Sequence, residues 1–148
     1  MSQVSDFVSS LNNLKEIIQI TVPSQTAKVD CVELSFQQQT HILSSTLNGY
    51  VETLKYINLL NSIVIENTKN NELLIIDKLP ILLQLRTHSI GNSYITDEDE
   101  EIDLKPYLSN WVSAPTRSEI IELNNLKIAL RIPTIAEESE HIKRCIDN

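Results

Sequence analysis

The chain has 148 residues, 41% hydrophobic and 22% charged, with a formal net charge of −8. That length and apolar content suit one folded domain, or a domain with an appendage, whose core needs neither disulfides nor metal. The acidic balance disfavours sequence-independent binding to phosphate backbones, no apolar run approaches the roughly 20 residues of a membrane span, and two glycines, Gly49 and Gly91, are too few for a phosphate-cradling loop or a dinucleotide fingerprint.

The N-terminal stretch lacks the basic and continuous apolar regions of a secretory signal. Cys31 and Cys145 are far apart, which fits a reducing compartment and two isolated thiols. Phe7, Val8, Leu11 and Leu14 fall at i, i+1, i+4 and i+7, one face of a short helix with Ser5 or Asp6 as cap; a loose N-terminal arm is the competing reading. Ile18, Ile20 and Val22 then alternate with polar residues, Pro23-Ser24-Gln25 is a turn, and Val29 and Cys31 share a face. This is a β-hairpin.

Ser35 with Gln38 three residues later reads as a capping box opening a helix, with Phe36, Leu43 and Leu47 on one face and Gly49 as its stop. A second, strongly apolar helix follows, carrying Val51, Leu54, Ile57 and the cluster from Leu60 to Ile65. After the break "TKNNE" and the apolar run "LLII" comes "DKLPILLQLRTHSIGN". Here Asp77 is the expected N-cap, Pro80 falls in the first turn, and Leu79, Leu82, Leu83, Leu85 and Ile90 form the stripe to be buried. Gly91 closes the helix.

Beyond Gly91 the texture changes. "SYITDEDEEIDL" predicts a hairpin with an acidic tip, and "EIIELNNLKIALRIP" predicts two strands turning at Asn124-Asn125. "TIAEESEHIKRCIDN" is a last helix with Thr134 as cap, Glu137 three residues on, and Ile135, Ile142 and Ile146 as its stripe. The expected class is therefore α+β: an N-terminal β-hairpin, a central helical block, a small antiparallel β appendage and a C-terminal helix. The divisions are residues 1–92, 93–133 and 134–148.

Chemistry-bearing patterns are few. Asp97, Asp99, Glu101 and Asp103 match positions 1, 3, 5 and 7 of an EF-hand loop, but Ile102 stands where glycine is needed and Leu108 where a bidentate glutamate belongs. A solvated hairpin tip is the simpler reading. His41, His88 and His141 have no partner at zinc-site spacing, and there is no nucleophile elbow. Trp111, in "YLSNWVSAP", and nearby Tyr107 are the candidate interface residues; the plain alternative for Trp111 is a partly buried core anchor. No catalytic residue, cofactor or metal is assigned.

Several segments, in order, resemble one family. "IQITVPSQTAKVDCVELSFQQQTHILSS", then "IDKLPILLQLRTHSIGNSY", then "EEIDL" and "IELNNLKIALRIPT", resemble the baseplate hub subunit and hub assembly proteins of T-even-type contractile-tailed bacteriophages. The likeness runs over residues 17–135, and its most specific part is the "DKLP…LQLR…SIG" helix. Some relatives carry cysteines, suggestive of a small metal knuckle, at the "SY…EIDL" junction; this span has none, so zinc is not implied.

The resemblance implies a non-enzymatic structural component or assembly factor of the central hub, located in the virion tail or, during assembly, in the host cytoplasm. Its partners would be other tail and baseplate hub proteins, with no nucleic acid and no membrane span, and with homo-oligomerisation left open. A transient chaperone-like adaptor for a tail protein is the rival from another class. A small enzyme with an acidic metal site at Asp97, Asp99 and Asp103 is the third.

Overall fold

In a computed structural model, which describes residues 15–45, 47–109 and 118–147, the first alternating stretch forms β1 (Ile17–Ile20) and β2 (Val29–Val32), paired antiparallel. The register sets Ile18 opposite Cys31 and Ile20 opposite Val29. Alternation then turns Ile20, Val29 and Cys31 inward, where with Val22 they are buried. The expected N-terminal helix over Phe7 to Leu14 lies outside the described residues.

Helices α1 (Phe36–Ser44), α2 (Tyr50–Thr68) and α3 (Ile75–Ile90) form the central block. Ser35 caps α1 as expected: its hydroxyl accepts the Gln38 N–H at 3.1 Å, and Gln38 Oε1 accepts the Ser35 N–H at 3.0 Å. The end of α1 departs from expectation. Ser45, extended, is its C-cap, and the Ser45 hydroxyl donates to the His41 carbonyl at 2.7 Å, competing with helix continuation. Gly49 instead opens α2, with φ +100°, a left-handed value that favours glycine. Phe36, Leu43 and Leu47 are not buried; all three face outward, and no residue of α1 is buried.

Helix α3 also begins earlier than expected, at Ile75, with Leu74 as its N-cap. Asp77 is thus the third helical residue. Its carboxylate accepts the Leu74 N–H at 2.9 Å, the Ser24 N–H at 2.9 Å and the Ser24 hydroxyl at 2.5 Å. Pro80 lies inside the helix rather than in its first turn, so the Ile76 carbonyl loses its i+4 donor. The buried stripe shifts accordingly: Ile81 and Leu85 are fully buried, Leu82 packs partly buried against them, and Leu79 and Ile90 are exposed. With the start moved forward, Pro80, Ile81 and Leu85 occupy the i, i+1 and i+5 positions that meet the core.

The core joins the inner face of the β1–β2 hairpin to Val64 of α2, Leu73, Ile81 and Leu85, and to Ile135 of the last helix, α5 (Ile135–Asp147). Burying each such side chain contributes about 1.5–3 kcal/mol. Polar ties fix the angles. Asn67, buried on α2, donates to the Val32 carbonyl at 2.9 Å and accepts from Gln38 at 2.7 Å. The Gln84 amide pairs with both backbone groups of Thr21, at 3.1 and 2.8 Å. Lys78 of α3 reaches Asn61 of α2 and Glu138 of α5, at 2.9 and 2.5 Å. An isolated bridge pairs Leu74 with Thr134, so the starts of α3 and α5 meet.

The remaining elements are β3 (Ser93–Ile95), β4 (Glu101–Asp103), α4 (Lys105–Ser109), β5 (Ser118–Leu123) and β6 (Leu126–Arg131). The appendage is two separate two-stranded hairpins, β3–β4 and β5–β6, rather than one sheet. The observed class is α+β, a helical block with small antiparallel hairpins and a C-terminal helix. Among the described residues, no helix is long and apolar enough to cross a membrane.

Candidate interaction surface

The β3–β4 hairpin is hung from the end of α3 by Arg86. Its guanidinium donates to the carbonyls of Gly91 and Ser93 at 3.2 and 3.1 Å and lies 5.5 Å over the Tyr94 ring, a cation–π contact. Gly91, at φ +107°, makes the turn that brings these carbonyls within reach. The acidic tip is held by Thr96, not by packing. Its hydroxyl accepts the N–H groups of Glu98 and Glu100 at 3.3 and 3.2 Å, while Asp97 to Glu101 are exposed. No group of three or more His, Cys, Asp or Glu among the described residues is arranged to hold a metal ion.

The second hairpin carries the most informative surface. Its ladder pairs Glu119 with Leu130, Ile121 with Ile128 and Leu123 with Leu126 on one face, and Ser118 with Arg131, Ile120 with Ala129 and Glu122 with Lys127 on the other. One face is thus apolar at five of six positions. The opposite face is mixed, with an ion pair from Lys127 to Glu122 at 2.7 Å. Asn124 takes φ +54°, the positive value that a two-residue turn requires and asparagine tolerates. Ile121, Leu123, Leu126 and Leu130 are all exposed, and the hairpin makes no contribution to the buried core.

An isolated two-stranded hairpin is marginal in water. Here the base is clasped to α5: Arg131 makes a bidentate pair with Glu137, both bonds at 2.7 Å. Glu137 also accepts the Thr134 N–H at 2.9 Å, and its own N–H bonds the Thr134 hydroxyl at 3.1 Å, completing the expected capping box. The Arg131 hydrogen bonds, helped by the Thr134 backbone, hold the Glu137 carboxyl at about 2, well below the usual glutamate range.

Of the two residues singled out from the sequence, Tyr107 lies on α4 and is 58% exposed, while Trp111 lies outside the described residues. The apolar positions of β5 and β6 were legible as a list. Sorting them into faces needed the register, and the Asn124-Asn125 turn was the signal that fixes it. Cys31 is buried in the core and its thiol is pushed up to about 12 by burial, so it stays protonated; Cys145 is exposed on α5, its sulfur 3.7 Å from His141 Nε2. Comparison with protein-family models, curated proteins and solved structures found no match to this chain.

Proposed function

We propose that this chain is a non-enzymatic tail protein of a contractile-tailed bacteriophage, a component or assembly factor of the baseplate hub, and that it acts by protein–protein contacts. The observation that carries the contact reading is the solvent-facing apolar side of the β5–β6 hairpin, a two-stranded sheet with open edges among the described residues. Such a sheet gains by taking a partner strand, which satisfies its outward backbone groups and covers its apolar face. Support for the hub assignment comes from the ordered sequence resemblance. The residues of its sharpest motif form one architectural unit: Asp77 ties α3 to the first turn, and Arg86 and Gly91 hang the β3–β4 hairpin from the other end of α3.

The test is coprecipitation of the full chain with the other hub proteins, comparing wild type with the double variant Leu123→Lys, Leu126→Glu, whose opposite charges face each other across the ladder. Both positions are exposed, so folding should be retained and association lost. Undiminished association of the folded variant would move the contact elsewhere. Mass spectrometry of purified particles separates the two roles: a few copies per virion selects the component, and none selects the transient adaptor.

A further inference from the structure

We infer that two copies of this chain associate through the outward face of α1, independently of the hairpin contact. Helix α1 is turned inside out relative to an ordinary surface helix. Gln38 faces the protein interior, bonded to Asn67, while Phe36 and Leu43, seven residues apart and so on one face, are 85% and 84% exposed. A ridge this apolar on a monomer marks a contact surface.

A second observation concerns charge. From Leu34 to Val51, 18 consecutive residues contain no Asp, Glu, Lys or Arg, the longest such run in a chain that is 22% charged. Depletion of charge is the compositional mark of an interface centre. For a chain of net charge −8, it is also the surface where two copies approach with least repulsion.

A third observation selects a second copy as occupant. Beside the ridge lies a groove of about 280 Å³ between α1, α2 and α3, walled by Leu34, Ile42, Tyr56, Leu60 and Leu82, with Leu43 shared between ridge and groove. Ridge and groove on one face are what a two-fold contact needs, since each copy's ridge enters the other's groove and the assembly closes. Phe36, Leu43, Leu47 and Ile90 together offer on the order of 400–500 Å² of exposed apolar side chain per copy. That brings two copies to about the 1,000 Å² at which specific interfaces begin, so the dimer is a weak one that forms in a concentration-dependent way.

Sedimentation velocity of the full chain over a hundredfold concentration range tests this. Wild type should shift from monomer to dimer, and Leu43→Glu should weaken the dimer on the order of 30-fold with an unchanged circular dichroism spectrum. Phe36→Ser is the second variant, should Leu43→Glu fold poorly. Thr40→Cys, near the middle of the ridge, should form a disulfide-linked dimer in a Cys145→Ser background. A wild type that stays monomeric throughout overturns the inference, whether α1 is covered by the chain's own N-terminal residues or by nothing. So does a dimer that withstands both ridge substitutions. Neither result bears on the coprecipitation by the hairpin.

Discussion

Replacing Asp77 by alanine tests whether one buried carboxylate joins the N-terminal hairpin to α3. The side chain is fully buried and accepts three hydrogen bonds, from the Leu74 N–H, the Ser24 N–H and the Ser24 hydroxyl. Orphaning a buried donor costs about 1–3 kcal/mol. Leu74 is buried and would pay in full; Ser24 is half-buried and would recover part of its loss from water. Losing a carboxylate from the first turn removes a further 0.3–1 kcal/mol or so of favourable interaction with the helix dipole. Asp77→Ala should therefore destabilise by about 3–4 kcal/mol, a large share of the roughly 5–15 kcal/mol of an ordinary domain.

Ser24→Ala removes only the hydroxyl and should cost about 1 kcal/mol. The double variant should cost little more than Asp77→Ala alone, giving a coupling near 1 kcal/mol. Urea unfolding of the full chain, followed by circular dichroism at neutral pH, measures all three. An Asp77→Ala cost below that of Ser24→Ala, or strict additivity of the two, would refute the claim that this carboxylate is the joint.

Leu85→Ala should destabilise by about 2–5 kcal/mol, because the side chain is fully buried; Leu82→Ala, only half-buried, should cost distinctly less, and equal urea midpoints for the two would contradict the facing of α3. The pH prediction follows from Glu137. Its carboxyl is lowered to about 2, so the clasp is complete above the usual glutamate range and is lost only as pH falls through about 2. Carboxyl chemical shifts should give that midpoint in the wild type and a midpoint moved up toward the usual range in Arg131→Ala. Neutralising the acidic tip, Asp97→Asn with Asp99→Asn and Glu101→Gln, should leave stability within about 0.5 kcal/mol, since these side chains are exposed; a loss of several kcal/mol restored by added Ca²⁺ would show a metal site instead.

Local rules worked where the chemistry is local. Both capping boxes, Ser35 with Gln38 and Thr134 with Glu137, stand as the sequence pattern expects. So do the inward face of Val29 and Cys31 and the turn at Asn124-Asn125. Where a residue has two local uses, only tertiary structure chooses between them. Asp77 is as good an acceptor at the third helical position as at the cap, and Ser24, 53 residues away, makes the difference. Gly49 suits a helix stop or a helix start with positive φ. Phe36 and Leu43 form a proper apolar stripe; no local rule states which way a stripe faces. Gln84 is an ordinary surface glutamine by sequence, and only the fold brings it to the Thr21 backbone.

The Leu74–Thr134 bridge fixes where the appendage ends. The chain leaves the block at Gly91, at the far end of α3, and returns at Thr134, beside that helix's first residue. A 16-residue helix is about 24 Å long. One hairpin is therefore held at each end of a rigid ruler, by Arg86 at one end and by Arg131 with Glu137 at the other. A molecule gripping both would be bivalent: its second contact would form at the high effective concentration set by the first, and its avidity would collapse if the two gripping points stood at the wrong spacing. Helix length, rather than either hairpin's own sequence, would then decide which partners can hold on.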